Sequence, residues 1–265
     1  MTRTAAVREP AVAGLFYPAD PQELRELVRT YLEQADDFGP APKALIVPHA
    51  GYVYSGPIAA SGYRLLEAAR STVKRVVLMG PAHRYPVAGL ATHGADWFAT
   101  PLGRIPIDRE AVAGIIELPY VQQLDAAHRA EHSLEVHLPF LQVVLDDFRL
   151  VPIVVGDAAP NEVAAVLERL WDGPETVIVV SSDLSHYHDY DTAKQLDRDT
   201  AKAIEKMQAK TVGPDAACGC RAIGGLLEVA RRRKLKVTTI DLRNSGDTKG
   251  PRYEVVGYGA FAFVE

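Results

Sequence analysis

The sequence predicts an α/β fold: one domain with a largely parallel or mixed central sheet flanked by helices. Three observations carry that expectation. Short unbroken runs of Val, Ile and Leu at 44–48, 75–80, 150–155 and 176–181 read as strands buried on both faces. Amphipathic stretches of helical spacing separate them, the alternation that builds a sheet covered by helices. No internal repeat, low-complexity tract or long polar linker interrupts the 265 residues, so a single domain is expected over 1–265.

Taken in order, Asp20-Pro21 reads as an N-cap followed by proline at the first helical position. Leu24, Leu27, Val28, Tyr31 and Leu32 follow at helical spacing. Phe38-Gly39-Pro40-Ala41-Pro42 breaks the chain before the strand at 44–48. A helix over 57–69 leads to the strand at 75–80; a further strand is expected at 88–92 and a short helix over 108–117. Residues 133–145 carry Leu134, Leu138, Leu141 and Leu145 and read as one longer helix despite Pro139. The strand at 150–155, a helix over 160–171, the strand at 176–181 and helices over 191–207 and 218–234 continue the alternation. Strands at 237–242 and 255–264 follow. The second of these alternates and carries glycines, which suits an edge or an antiparallel position.

Composition narrows the function. Apolar residues make up 48% and charged residues 24%, the balance of a globular protein with a sizeable core. The net charge is −5, and the one basic run, Arg231-Arg232-Arg233-Lys234, ends a predicted helix and complements its dipole. Nucleic-acid binding is therefore not expected. No apolar stretch reaches the roughly 18 residues that cross a bilayer. Met1-Thr2-Arg3-Thr4 leads into Glu9-Pro10 without the apolar core of a secretory signal. The only cysteines, Cys218 and Cys220, are too close in sequence for an easy disulfide and suit a reducing compartment. A cytoplasmic protein without membrane or nucleic-acid partners is the expectation. There is no P-loop, no G-x-G-x-x-G after a strand and no G-x-S-x-G elbow, which argues against nucleotide binding and serine hydrolysis.

Three of the apolar strands run straight into a histidine: 44–48 into His49, 75–80 into Ala82-His83, and 176–181 into Ser182-Asp183-Leu184-Ser185-His186. Ligands in open α/β sheets bind outside the carboxyl ends of the strands, so three imidazoles delivered to that edge point to a metal or acid–base site. Neutral imidazole is a common ligand of iron, zinc and copper, and His49 and His83 sit in matching Gly/Pro turns. Cys218, at the start of a predicted helix where a thiolate is favoured, is a candidate third ligand; it reads equally as a small buried apolar residue. Cys220 would point about 200° away on that helix. Asp183 and His186 can act as an acid–base pair, or Asp183 can orient a histidine. Glu131-His132-Ser133-Leu134-Glu135-Val136-His137 is not H-E-x-x-H, and its histidines do not share a helical face. His132 is expected to support the site or transfer a proton, and His137 to be structural.

Several segments together resemble the Memo-like family, similar in fold to the class III extradiol ring-cleaving dioxygenases. They are Ala13-Gly14-Leu15-Phe16-Tyr17-Pro18, Pro48-His49-Ala50-Gly51-Tyr52-Val53-Tyr54-Ser55-Gly56, Gly80-Pro81-Ala82-His83, Glu131 through Phe140, Ser181 through His186, and Cys218-Gly219. The resemblance runs from near residue 10 to the C-terminus. It implies one pocket in which His49, His83 and Cys218 match residues proposed to bind a metal and Asp183 and His186 match further pocket residues. Extradiol enzymes hold Fe(II) with two histidines and a carboxylate. A cysteine at the carboxylate's position widens the expected metal to Fe(II) or Cu(I), with Zn as a further candidate. Bacterial and archaeal members are called the B component of the AmmeMemoRadiSam system, which implies a link to AMMECR-like and radical SAM proteins. The expectation is thus a dioxygenase-like redox enzyme acting on a small aromatic substrate, with His186 and, from the residue reading above, His132 as acid–base catalytic groups and Asp183 orienting one of them. The alternative is a non-catalytic protein that carries a metal or a peptide in the same pocket.

Overall fold

The computed structural model describes residues 5–36 and 39–265; the reading of Met1-Thr2-Arg3-Thr4 and of Phe38 lies outside them. The strands are β1 (Val7–Arg8), β2 (Ala44–Val47), β3 (Arg75–Pro81), β4 (Leu90–Thr92), β5 (Trp97–Thr100), β6 (Gly103–Pro106), β7 (Val121–Gln123), β8 (Arg149–Val155), β9 (Thr176–Ser181), β10 (His186–His188), β11 (Lys236–Asn244) and β12 (Val255–Val264). The α-helices are α1 (Pro21–Gln34), α2 (Tyr52–Arg64), α3 (Arg109–Ile116), α4 (Asp125–Arg129), α5 (Leu138–Val144), α6 (Pro160–Leu170), α7 (Tyr190–Glu205) and α8 (Cys220–Arg233).

A mixed nine-stranded sheet in the order β10-β12-β2-β9-β3-β8-β4-β7, with β11 on β12, forms the centre; β1, β5 and β6 make a small second sheet. The α/β expectation holds. Its middle is parallel: β2 pairs with β9, β9 with β3 and β3 with β8. The Val, Ile and Leu side chains of these strands are almost wholly buried, which is why they read as unbroken apolar runs rather than alternating ones. Each such side chain contributes roughly 1.5–3 kcal/mol of burial. Helix α8 packs on β3 and β9, with α6 against it; α2 packs on β2 and β12, with α1 and α5 against it.

The helix starts show what decides element boundaries. Asp20 caps α1 by accepting the N–H groups of Gln22 and Glu23, with Pro21 at N1 as expected. The helix expected over 57–69 instead starts at Tyr52 and ends in a 3₁₀ turn, Leu65–Ala69. Pro57 sits inside it, and the carbonyl left without a donor belongs to exposed Val53, where water can satisfy it. The single helix expected over 133–145 is a 3₁₀ turn, Glu135–His137, followed by α5, because Pro139 lacks the N–H a continuous helix would need and is accommodated in α5's first turn. The last strand is antiparallel but not an edge: β12 lies between β11 and β2. No helix among the described residues is long and apolar enough to cross a membrane.

Candidate metal centre

The site follows from the parallel register. Strands β2, β9 and β3 are neighbours that end at the same edge, with Val47 beside Ser181 and Met79 beside Val180. Each is followed two residues later by a polar side chain, so His49, Asp183 and His83 converge there. A fourth group, His132, arrives from the segment between α4 and α5. Ligand nitrogens of His49, His83 and His132 all lie within 4.8 Å of one another, a group able to hold a metal ion. His49 is buried, His132 half-buried and His83 exposed.

Hydrogen bonds decide which nitrogen each ring presents. The Ser181 hydroxyl donates its one proton to the carbonyl of Ser133 at 2.6 Å. It must therefore accept from both imidazoles that touch it, His49 Nδ1 at 2.6 Å and His137 Nε2 at 2.8 Å. His49 carries its proton on Nδ1, so its Nε2 lone pair is unprotonated and lies 3.4 Å from the Cys218 thiol. Glu131 does the same for His83: its Oε1 accepts from Nδ1 at 2.9 Å and its Oε2 from the backbone N–H at 2.6 Å. Glu131 also accepts the backbone N–H groups of His132 and Ser133, each at 3.0 Å. Burial opposes its ionisation, but these donors win and hold the carboxyl down at about 2. His132 Nδ1 lies 3.3 Å from Glu131 Oε1, outside hydrogen-bond alignment but close enough to favour a proton there.

Burial pushes His49 well below the ordinary imidazole range, and the nearby His83 and His132 push it further. Burial also lowers His132, against the pull of Glu131. Both are neutral, ligand-competent imidazoles near pH 7. A carboxylate behind one ring and a hydroxyl behind another is the arrangement that orients histidine ligands around a metal. The residues present fit a metal ion.

Asp183 Oδ1 accepts the backbone N–H of His49 at 2.8 Å, and Oδ2 lies 4.0 Å from His49 Nε2. Burial raises its carboxyl above the usual range. A cavity of about 570 Å³ opens in front of the imidazoles, with Phe16, Tyr54 and Tyr258 as aromatic walls and Asp183, His186 and Arg84 as polar ones. Phe16 lies with its ring 4.6 Å from that of His132. A second cavity, about 780 Å³, shares His83, His186 and Tyr187 with the first.

Cys218 lines the second cavity, not the first. Its Sγ lies 3.4 Å from His49 Nε2 and accepts the backbone N–H of Asp183 at 3.3 Å. Gly219 allows this: a Cβ there would stand 2.6 Å from the Ser181 carbonyl oxygen. The expected helix start at Cys218 is displaced, since Gly219 is the cap and α8 begins at Cys220. The expected thiolate is displaced too: burial and the Asp183 carboxylate push the thiol up to about 12. Cys220 lines neither cavity. Sequence reasoning missed the roles of Glu131, Ser181 and Phe16; the signal nearest to hand was Glu131's place beside His132 in a segment too irregular to be helix.

A family model described as Memo-like protein matches residues 8–262. A MEMO1 family protein of Aquifex aeolicus is 35% identical over 269 residues, covering 97% of this chain and 99% of the relative. MEMO1 family proteins of Thermotoga neapolitana and Aeropyrum pernix are each 38% identical, covering 95% and 96% of this chain and 98% of each relative. The crystal structure of an uncharacterized protein from Escherichia coli K12 superposes with a TM-score of 0.51 at 12% identity, over 84% of this chain and 99% of that one. That likeness concerns the fold alone.

Proposed function

The chain belongs to the Memo-like family, and on that premise we propose that it is a transition-metal protein whose His49, His83 and His132 hold the ion. In this reading the cavity before them takes a small aromatic molecule for a dioxygenase-like oxidation. The observation that carries the metal half is the tautomer set: Ser181 and Glu131 keep protons on the rear nitrogens of His49 and His83, so their lone pairs face the cluster. Fe(II) or Cu(I) is the ion of this reading, with Zn as a further candidate; iron or copper would supply Lewis acidity and one-electron redox capacity.

The chain's own residues supply the rest. Phe16, Tyr54 and Tyr258 offer a flat ligand apolar faces and keep water off one side. Asp183, whose carboxyl burial raises above the usual range, and His186 line the same cavity and are placed to hold and pass a proton at the ligand's polar edge. His186 and Asp183 are the catalytic groups of this reading. A second reading keeps Cys218 as third ligand in place of His132, favoured by the 3.4 Å contact with His49 Nε2; a bound cation would drive off the proton that burial retains.

Metal content after anaerobic loading with Fe(II), measured on wild type, His49→Ala, His132→Ala and Cys218→Ser side by side, tests both. We expect His49→Ala and His132→Ala to lose the metal and Cys218→Ser to keep it. Loss in Cys218→Ser with retention in His132→Ala would establish the mixed His/Cys centre instead. A wild type that takes up no metal would sink both. Loaded protein that consumes no oxygen with any member of a catechol panel would be a metal carrier rather than an oxidase.

A further inference from the structure

Asp197 on α7 is a buried carboxylate that the metal centre does not use. It is 2% exposed, and no Lys or Arg among the described residues lies within ion-pair distance of it. Its Oδ1 accepts the backbone N–H of Ser185 at 3.0 Å. Gly257 of β12 approaches so closely that a Cβ there would stand 2.1 Å from Asp197 Oδ2. The same glycine grips the other side of the loop: Leu184 N–H donates to its carbonyl, and its own N–H donates to the Ser185 carbonyl, both at 2.8 Å. Leu184-Ser185 is therefore clamped between α7 and β12.

The clamp's flanks are functional. Asp183 precedes it, facing the imidazoles. His186 and Tyr187 follow it and, with His83, are the residues common to both cavities. Between the register pairs His186–Val256 and His188–Val255, Tyr187 bulges out unpaired with φ +62° and is 72% exposed. A bulky residue holds a left-handed backbone only where its surroundings over-determine it. Asp197 and Gly257 clamp the two residues that lead into this bulge.

We propose that Asp197 is a positioning residue that sets the size of the binding site: it holds His186 and Tyr187 as the partition between the two cavities, and loosening its hold joins them into one chamber for a longer ligand. The proposal rests on the cavity being the ligand site, but its test does not involve the metal. Burial pushes the Asp197 carboxyl up to about 6, opposed first by the Ser185 hydrogen bond and then by His186 and His188, the titratable groups of β10. The clamped carboxyl therefore holds a proton more tightly than a hydrated one. By linkage, lowering the pH through about 6 favours the closed partition, and raising it loosens the clamp.

Hydrogen–deuterium exchange on the metal-free full chain, expressed as protection factors between about pH 5 and 7.5, reads this directly. In wild type the protection of residues 184–188 should fall as pH rises across this range, by up to about tenfold. Asp197→Asn keeps an acceptor but stays neutral, so its profile should be flat and its protection higher at pH 7.5. Gly257→Ala puts a methyl where the carboxylate sits and should lower protection of 184–188 at every pH, with β3 and β8 unaffected. Matching pH profiles in wild type and Asp197→Asn would overturn the proposal, as would unchanged protection in Gly257→Ala. If Gly257→Ala does not fold, the first comparison decides alone. Absence of metal uptake would leave all these outcomes intact.

Discussion

Glu131 and Glu135 are buried carboxylates on the same short segment, used in opposite ways. Glu135 is a closed account of charge: it forms an ion pair with buried Arg8 and also accepts the N–H groups of Ala11 and Val12 and the Tyr17 hydroxyl. Every lone pair is taken, and the nearest cation belongs to the protein. Glu131 is surrounded by donors just as fully, but they are three backbone N–H groups and one imidazole. No permanent cation pairs with it among the described residues. Its negative charge therefore remains available to whatever positive charge enters the imidazole cluster. The two carboxylates teach that burial alone does not mark a functional acid; uncompensated charge beside a candidate ligand does.

The largest effect that would test this contrast lies at the structural carboxylate. Glu135→Ala strands the Arg8 guanidinium and three other donors in the interior, and urea unfolding should report a loss of about 3–5 kcal/mol. Metal taken up per folded molecule should stay unchanged; a parallel loss of affinity would erase the distinction drawn above. Next comes acid. The Glu131 carboxyl titrates at about 2, below its ordinary value of 4.5, so its contribution is complete above about pH 4.5 and drains away as pH falls toward 2. That is worth about 3 kcal/mol, and Glu131→Gln should unfold over a narrower span of stabilities between those pH values. The smallest effect is on the metal itself: Glu131→Gln should weaken Zn(II) or Co(II) binding roughly 10–100-fold in a competition titration. Equal affinities in Glu131→Gln and wild type would mean that Glu131, like Glu135, is only a framework acid.

Most of the frame was legible in the sequence because the physics behind it is local. An apolar run that stops at Gly or Pro and is followed by histidine specifies strand, turn and ligand edge together, which is how His49 and His83 could be placed. The sites of failure are non-local. Glu131 sits beside His132 where a loop can meet the sheet edge, but its hold on His83 depends on the turn after β3, which the residues around it do not encode. Asp197 falls in an amphipathic helix among Asp191, Arg198 and Asp199, where one more acid looks like solvated surface; only β12's approach through Gly257 makes it buried. Pro57 and Pro139 misled because a missing N–H is tolerated wherever its carbonyl partner finds water or the helix starts late.

The position of β12 has a further consequence, for the order in which the protein is made. Its pairing partners include β2, which carries His49, and β10, which begins at His186. Every candidate ligand from His49 to Cys218 leaves the ribosome before residues 255–264 do, and β10 joins β2, and so the rest of the sheet, only through that strand. A nascent chain can therefore align β2, β9 and β3 before the wall that carries His186 is tied to them.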